Sequence, residues 1–117
     1  MCHNIKVLSK VSNGELSICK ECNIYHLEFN NIYFEFTEEQ YHRFKTYLLA
    51  IEEDYWEEMY ADAKVKRKIP IPSIQENLVL MFNKQEILEL KALFCHRGSV
   101  YENEITLIDI DYTFILN

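Results

Sequence analysis

Apolar and polar positions alternate with period two over the first third of the chain and recur every three or four residues beyond it. The sequence therefore opens as sheet and continues as helix. Residues Asn4 to Val11 and Glu15 to Cys19 flank Asn13-Gly14, a pair that tolerates the positive φ angles of a type I′ hairpin turn. Ile24 to Phe29 and Ile32 to Phe36 flank Asn30-Asn31, a second tight turn. On these arms Leu27 and Phe29, then Ile32, Phe34 and Phe36, alternate with polar neighbours, as in a sheet buried on one face.

Thr37 starts a helix. Thr37 and Gln40 make a capping box, and Glu38 and Glu39 suit the positive end of the helix dipole. Tyr41, Phe44, Leu48, Ile51, Tyr55 and Met59 follow at spacings of three or four, predicting one long helix that ends near Ala63. Pro70 and Pro72 then hold the chain extended. Leu78 to Phe82 reads as a strand. Asn83 with Glu86 caps a second helix that buries Ile87, Leu90 and Phe94, with His96 and Arg97 in its last turn and Gly98 as the residue past its end. From Ile108, the alternation of Ile108, Ile110, Tyr112, Phe114 and Leu116 with Asp109, Asp111 and Thr113 predicts a final strand. The whole is a single α+β domain over residues 1–117: an N-terminal antiparallel β-meander, one long helix, further strands and a second helix.

Composition narrows the chemistry. Two glycines in 117 residues exclude Walker loops, dinucleotide fingerprints and Gly-rich kinase loops. A hydrophobic share of 49% supplies a core. The net charge of −7 disfavours nucleic acid as a partner. It resolves into an acidic run (Glu52, Glu53, Asp54, Glu57, Glu58), read as a solvated helix face, and a basic run (Lys64, Lys66, Arg67, Lys68) that complements it. No stretch is apolar enough to cross a membrane, and Met1 to Lys10 has no apolar export core. A cytoplasmic location is expected, with the four cysteines reduced or metal-bound.

Cys19-Lys20-Glu21-Cys22 carries the most distinctive chemistry, because two thiols two residues apart in a turn can face one ion, as in the knuckles of zinc ribbons. A structural site needs four ligands, and Cys2-His3, His26 and Cys95-His96 are the candidates for the remainder. If Asn13-Gly14 closes a two-residue loop, Ile5 faces Cys22 and Leu8 faces Cys19, which brings Cys2 beside the pair. His26 lies four strand residues past Cys22, ~13 Å away. His3 joins Cys2 only where the chain start bends, since neighbours on a regular strand point to opposite faces. Metal binding is the preferred reading over inert, semi-buried thiols. Redox chemistry ranks below it, because a thioredoxin-like CxxC opens a helix and this one sits between strands. Phe34, Phe36, Tyr41 and Phe44 read as core, and Trp56 and Tyr60 as partner surface. His42 reads as surface, and no catalytic constellation emerges.

The order of Cys2, the Asn13-Gly14 hairpin, Cys19-x-x-Cys22, His26-Leu27-Glu28-Phe29-Asn30-Asn31 and Thr37-Glu38-Glu39-Gln40-Tyr41-x-x-Phe44 resembles a known pattern. With Ile69-Pro70-Ile71-Pro72-Ser73 and Asn77-Leu78-Val79-Leu80 behind them, these segments are similar to a small uncharacterised family of Bacteroidetes proteins, classed as a domain of unknown function. The resemblance covers about the first four-fifths of the chain, so the tail after Gly98 reads as an addition. It implies Cys2, His3, Cys19 and Cys22 as ligands, because the early Cys, a nearby His and the CxxC recur in that family. The family usually has Gln where His26 stands, and this chain departs from it in having no Gly in the Asn30-Asn31 turn. The expected function is a non-enzymatic cytoplasmic module with structural zinc, acting through protein contacts that include self-association. The alternatives are a CxxC thiol redox or metal-sensing protein, and a nucleic-acid-binding zinc ribbon.

Overall fold

The structure is a computed structural model that describes residues 4–96. Cys2, His3, Arg97, Gly98 and the strand expected from Ile108 lie outside the described residues. Strands β1 (Ile5–Val11), β2 (Gly14–Cys19), β3 (Ile24–Phe29) and β4 (Ile32–Phe36) form an antiparallel meander in the order β1-β2-β3-β4. Helices α1 (Glu38–Ala50) and α2 (Glu53–Met59) follow, then a two-stranded sheet of β5 (Ile69–Pro72) and β6 (Val79–Phe82), and helix α3 (Lys84–Phe94). The architecture is α+β, with three helices among the described residues.

Both capping boxes form as the sequence dictates. Thr37 and Gln40 close the start of α1, and Asn83 and Glu86 close the start of α3. The turn at Asn30-Asn31 also forms, with Asn30 in the left-handed region at φ 53° and Phe29 paired with Ile32.

The first hairpin differs from expectation. Val11 pairs with Gly14, so the two-residue loop is Ser12-Asn13 and Asn13 and Gly14 both have negative φ. Asn13 serves as a tether, its backbone N–H and its amide both donating to the Glu89 carboxylate on α3. Gly14 is required for closeness: a Cβ there would meet the Glu28 carbonyl oxygen and the Phe29 ring. Gly14→Ala is therefore expected to cost about 2 kcal/mol by overpacking. The change should appear as a lowered urea midpoint at unchanged slope. An unmoved midpoint would show that β2 and β3 can part without cost.

The expected long helix is broken into α1 and α2 at Ile51, whose backbone is extended (φ −66°, ψ 128°). No Gly or Pro causes this. Lys91, from α3, donates to the Ile51 carbonyl at 2.6 Å and to Glu53 at 2.7 Å, holding the chain open. The break re-aims the second segment, so Tyr55 and Met59 are about half exposed although their spacing placed them inward. Trp56, expected at a partner surface, packs against the core instead, and Tyr60 stays exposed with its ring stacked on Trp56. The acidic run is answered internally, but mostly not by the basic run expected to do so: Lys68 pairs with Glu57, whereas Asp54 and Glu53 pair with Lys84 and Lys91 of α3 and Arg67 turns to Glu86.

Helix α3 covers the inner face of the meander. The buried Ser9 hydroxyl on β1 donates to the Leu93 carbonyl at 2.6 Å, and Asn30 donates to Glu86. Phe94 is fully buried among Phe36, Tyr41 and Phe44. Tyr41 lies between Phe94 and Tyr25, and burial, with Tyr25 and Cys95 adding to it, pushes its hydroxyl up to about 12. The helix ends earlier than expected: Cys95 is its cap, and His96, at φ 56°, takes the left-handed position assigned to Gly98. Among the described residues, no helix is long and apolar enough to cross a membrane.

Candidate metal centre

Strand β2 delivers Cys19 to the edge of the meander with its side chain fully buried. The chain then turns through Lys20, Glu21 and Cys22. Asn23, at φ 58°, sends it back into β3, and the Asn23 N–H donates to the Cys19 carbonyl at 2.8 Å. Asn tolerates that left-handed conformation at low cost. The Asn23 amide also donates to Glu38 at the start of α1, which ties the turn to the helix. Within the turn the Cys22 N–H donates to the Cys19 sulfur at 3.5 Å. The thiolate is the form of cysteine that binds metal and that acts as a nucleophile.

The register corrects where the chain start lies. Ile5 pairs with Cys19, not with Cys22, because the first loop closes one residue earlier than expected and the register shifts by another residue between Val7 and Ser9. The Lys20 N–H donates to the Asn4 carbonyl at 3.1 Å, so the described chain begins abreast of the CxxC turn. Residues 2 and 3 are joined directly to that point; two trans peptide links span at most about 7.6 Å between Cα atoms.

Cys19 and Cys95 are free thiols, Cys95 exposed at the end of α3, and Cys22 is disulfide-bonded. The other candidates stand apart. Among the described residues, no three His, Cys, Asp or Glu side chains are grouped to hold a metal ion, so Cys95 and His96 do not complete a site with Cys19 and Cys22. His96 faces Tyr41, its Nε2 3.3 Å from the hydroxyl, and burial followed by the nearby Lys45 lowers its pKa. His26 belongs to a separate group on the outer face of the meander. It lies between Ser17 and Glu35 across the strands, its Nδ1 is 2.7 Å from the Tyr33 hydroxyl, and its Nε2 is buried without a hydrogen-bond partner. Sequence reasoning passed over this row, although the Asn30-Asn31 turn alone sets His26 opposite Glu35.

A model of the family of unknown function DUF6686 matches residues 1–117. The chain belongs to that family. The DUF6686 match runs through the tail after Gly98 as well, so that segment is part of the shared unit and not an addition. No curated protein and no solved structure matches the chain.

Proposed function

We propose that this DUF6686 protein is a non-enzymatic module in which Cys2, His3, Cys19 and Cys22 hold one structural zinc ion, and which acts through protein contacts. The observation that carries the reading is the turn itself: Cys22 N–H on the Cys19 sulfur, with Asn4 held beside Lys20. If the Ile5–Cys19 register were continued by three steps, residue 2 would fall opposite residue 22. Once the disulfide at Cys22 is reduced, three thiolates and an imidazole make a closed set with no open coordination position, which suits zinc in a structural role. The ion would pin the first strand to the β2–β3 turn, and zinc of this kind couples directly to folding. Exposed Tyr55, Met59 and Tyr60 on and beside α2 offer side chains of the kinds enriched at protein interfaces. A cytoplasmic location is consistent with cysteines that serve as ligands.

A second reading has its own observation. A free Cys19 thiol beside a disulfide-bonded Cys22 is the arrangement that thiol–disulfide exchange uses. The two readings separate on protein purified under reducing conditions. Zinc binding predicts about one zinc per chain, thiols shielded from titration until a chelator is added, and loss of the metal in Cys22→Ser. A folded, metal-free protein with four titratable thiols would overturn it. A disulfide that forms and breaks reversibly within the cytosolic range of about −220 to −320 mV would establish the exchange reading instead.

A further inference from the structure

An open apolar groove of about 630 Å³ runs between β4, α1 and the β5–β6 hairpin. Its walls include Phe34, Phe44, Tyr47, Ile71, Leu78 and Leu80. Ile74, at the hairpin tip beside it, is 94% exposed. β4 is also the last strand of the meander, and among the described residues its outer edge pairs with no other strand. An apolar trough beside an open sheet edge is a template for one more strand.

We infer that the occupant is the chain's own segment 108–116, lying along β4 with Ile110, Tyr112 and Phe114 in the groove. Three observations select it over a foreign partner. From Ile108 to Phe114 the segment alternates four apolar residues with Asp109, Asp111 and Thr113, the pattern of a strand with one buried face. Its tether starts at the right place, since His96 bonds Tyr41, the neighbour of the groove residue Gln40. The eleven residues 97–107 reach about 36 Å when extended. The family match includes the segment, so groove and tail belong to one unit. Tethering holds a strand at an effective concentration of order mM, which favours it over a free competitor.

The test uses isotope-labelled full-length protein. Nuclear Overhauser contacts are expected from the Tyr112 and Phe114 rings to the methyl groups of Leu78 and Leu80. Phe114→Asp should abolish them and speed amide exchange along β4 by about tenfold or more, while β1 and β2 keep their protection. Leu78→Asp, a change at a half-exposed position of the opposite wall, should shift the same tail resonances and serves if the first variant fails to fold. Absent contacts in the unmodified protein, or β4 exchange indifferent to both variants, would overturn the inference. So would contacts seen only between labelled and unlabelled chains, which would make a second copy the occupant.

Discussion

Phe94→Ala is expected to lower the unfolding free energy by about 4 kcal/mol. Phe94 is fully buried and its ring centroid lies 5.3 Å from those of both Tyr41 and Phe44 and 6.4 Å from that of Phe36. It is thus where β4, α1 and α3 meet. Truncation removes the transfer energy of the ring and leaves a cavity that its aromatic neighbours, Phe36 on β4 and Tyr41 and Phe44 on α1, cannot close together. Domains of this kind are stable by about 5–15 kcal/mol, so the loss is a large fraction of the total. Urea denaturation of the variant, with the slope unchanged, gives the value directly. A loss below about 1 kcal/mol would mean that Tyr41 and Phe44 collapse into the space and that the ring cluster is not the centre of the core.

Glu86→Gln is expected to cost about 2 kcal/mol and to change how the protein responds to acid. The carboxylate is almost fully buried yet serves three elements. It accepts the Asn83 N–H in the capping box of α3, both a side-chain Nε and an Nη of Arg67, and the Asn30 amide in the β3–β4 turn. Burial pushes its pKa up, but the Arg67 and Asn83 hydrogen bonds outweigh it and leave the carboxyl below its ordinary 4.5. The unfolded chain therefore takes up the proton more readily than the folded one. The stabilisation is complete above about pH 4.5 and is lost as the pH falls through the lower, folded value. His96 works in the same direction at higher pH. Burial and Lys45 depress it below 6.5, so its contribution fades as the pH drops beneath that value. In stability measured against pH, Glu86→Gln should flatten the acid limb and leave in place the limb that begins as the pH falls below 6.5. An acid limb that is unchanged in the variant would assign it to other carboxylates.

What the sequence made legible was local. Thr37 with Gln40, Asn83 with Glu86, and the Asn30-Asn31 turn are each complete within four residues, and each formed as expected. What it concealed was set at a distance. The break at Ile51 depends on a lysine 40 residues further on, and no helix breaker marks it. The exposed positions of Tyr55 and Met59, and the packing of Trp56, follow from that break. The earlier closure of the first loop and the register shift between Val7 and Ser9 together moved the chain start by three residues against Cys19, although Cys19-x-x-Cys22 was plain from spacing alone. The apolar groove has no sequence signal, because its walls come from four elements joined only in the folded chain.

The Ser9–Leu93 hydrogen bond spans 84 positions. During synthesis the meander, whose hairpins are all short-range, leaves the ribosome first and can form its own ladder. Its inner face, with Leu16, Leu27 and Phe29, is not covered by α3 until the last element of the described chain arrives. At the usual pace of about 5–20 residues per second, that interval is several seconds. A nascent chain of this protein therefore waits, with that face not yet covered by α3, for far longer than a hairpin takes to form.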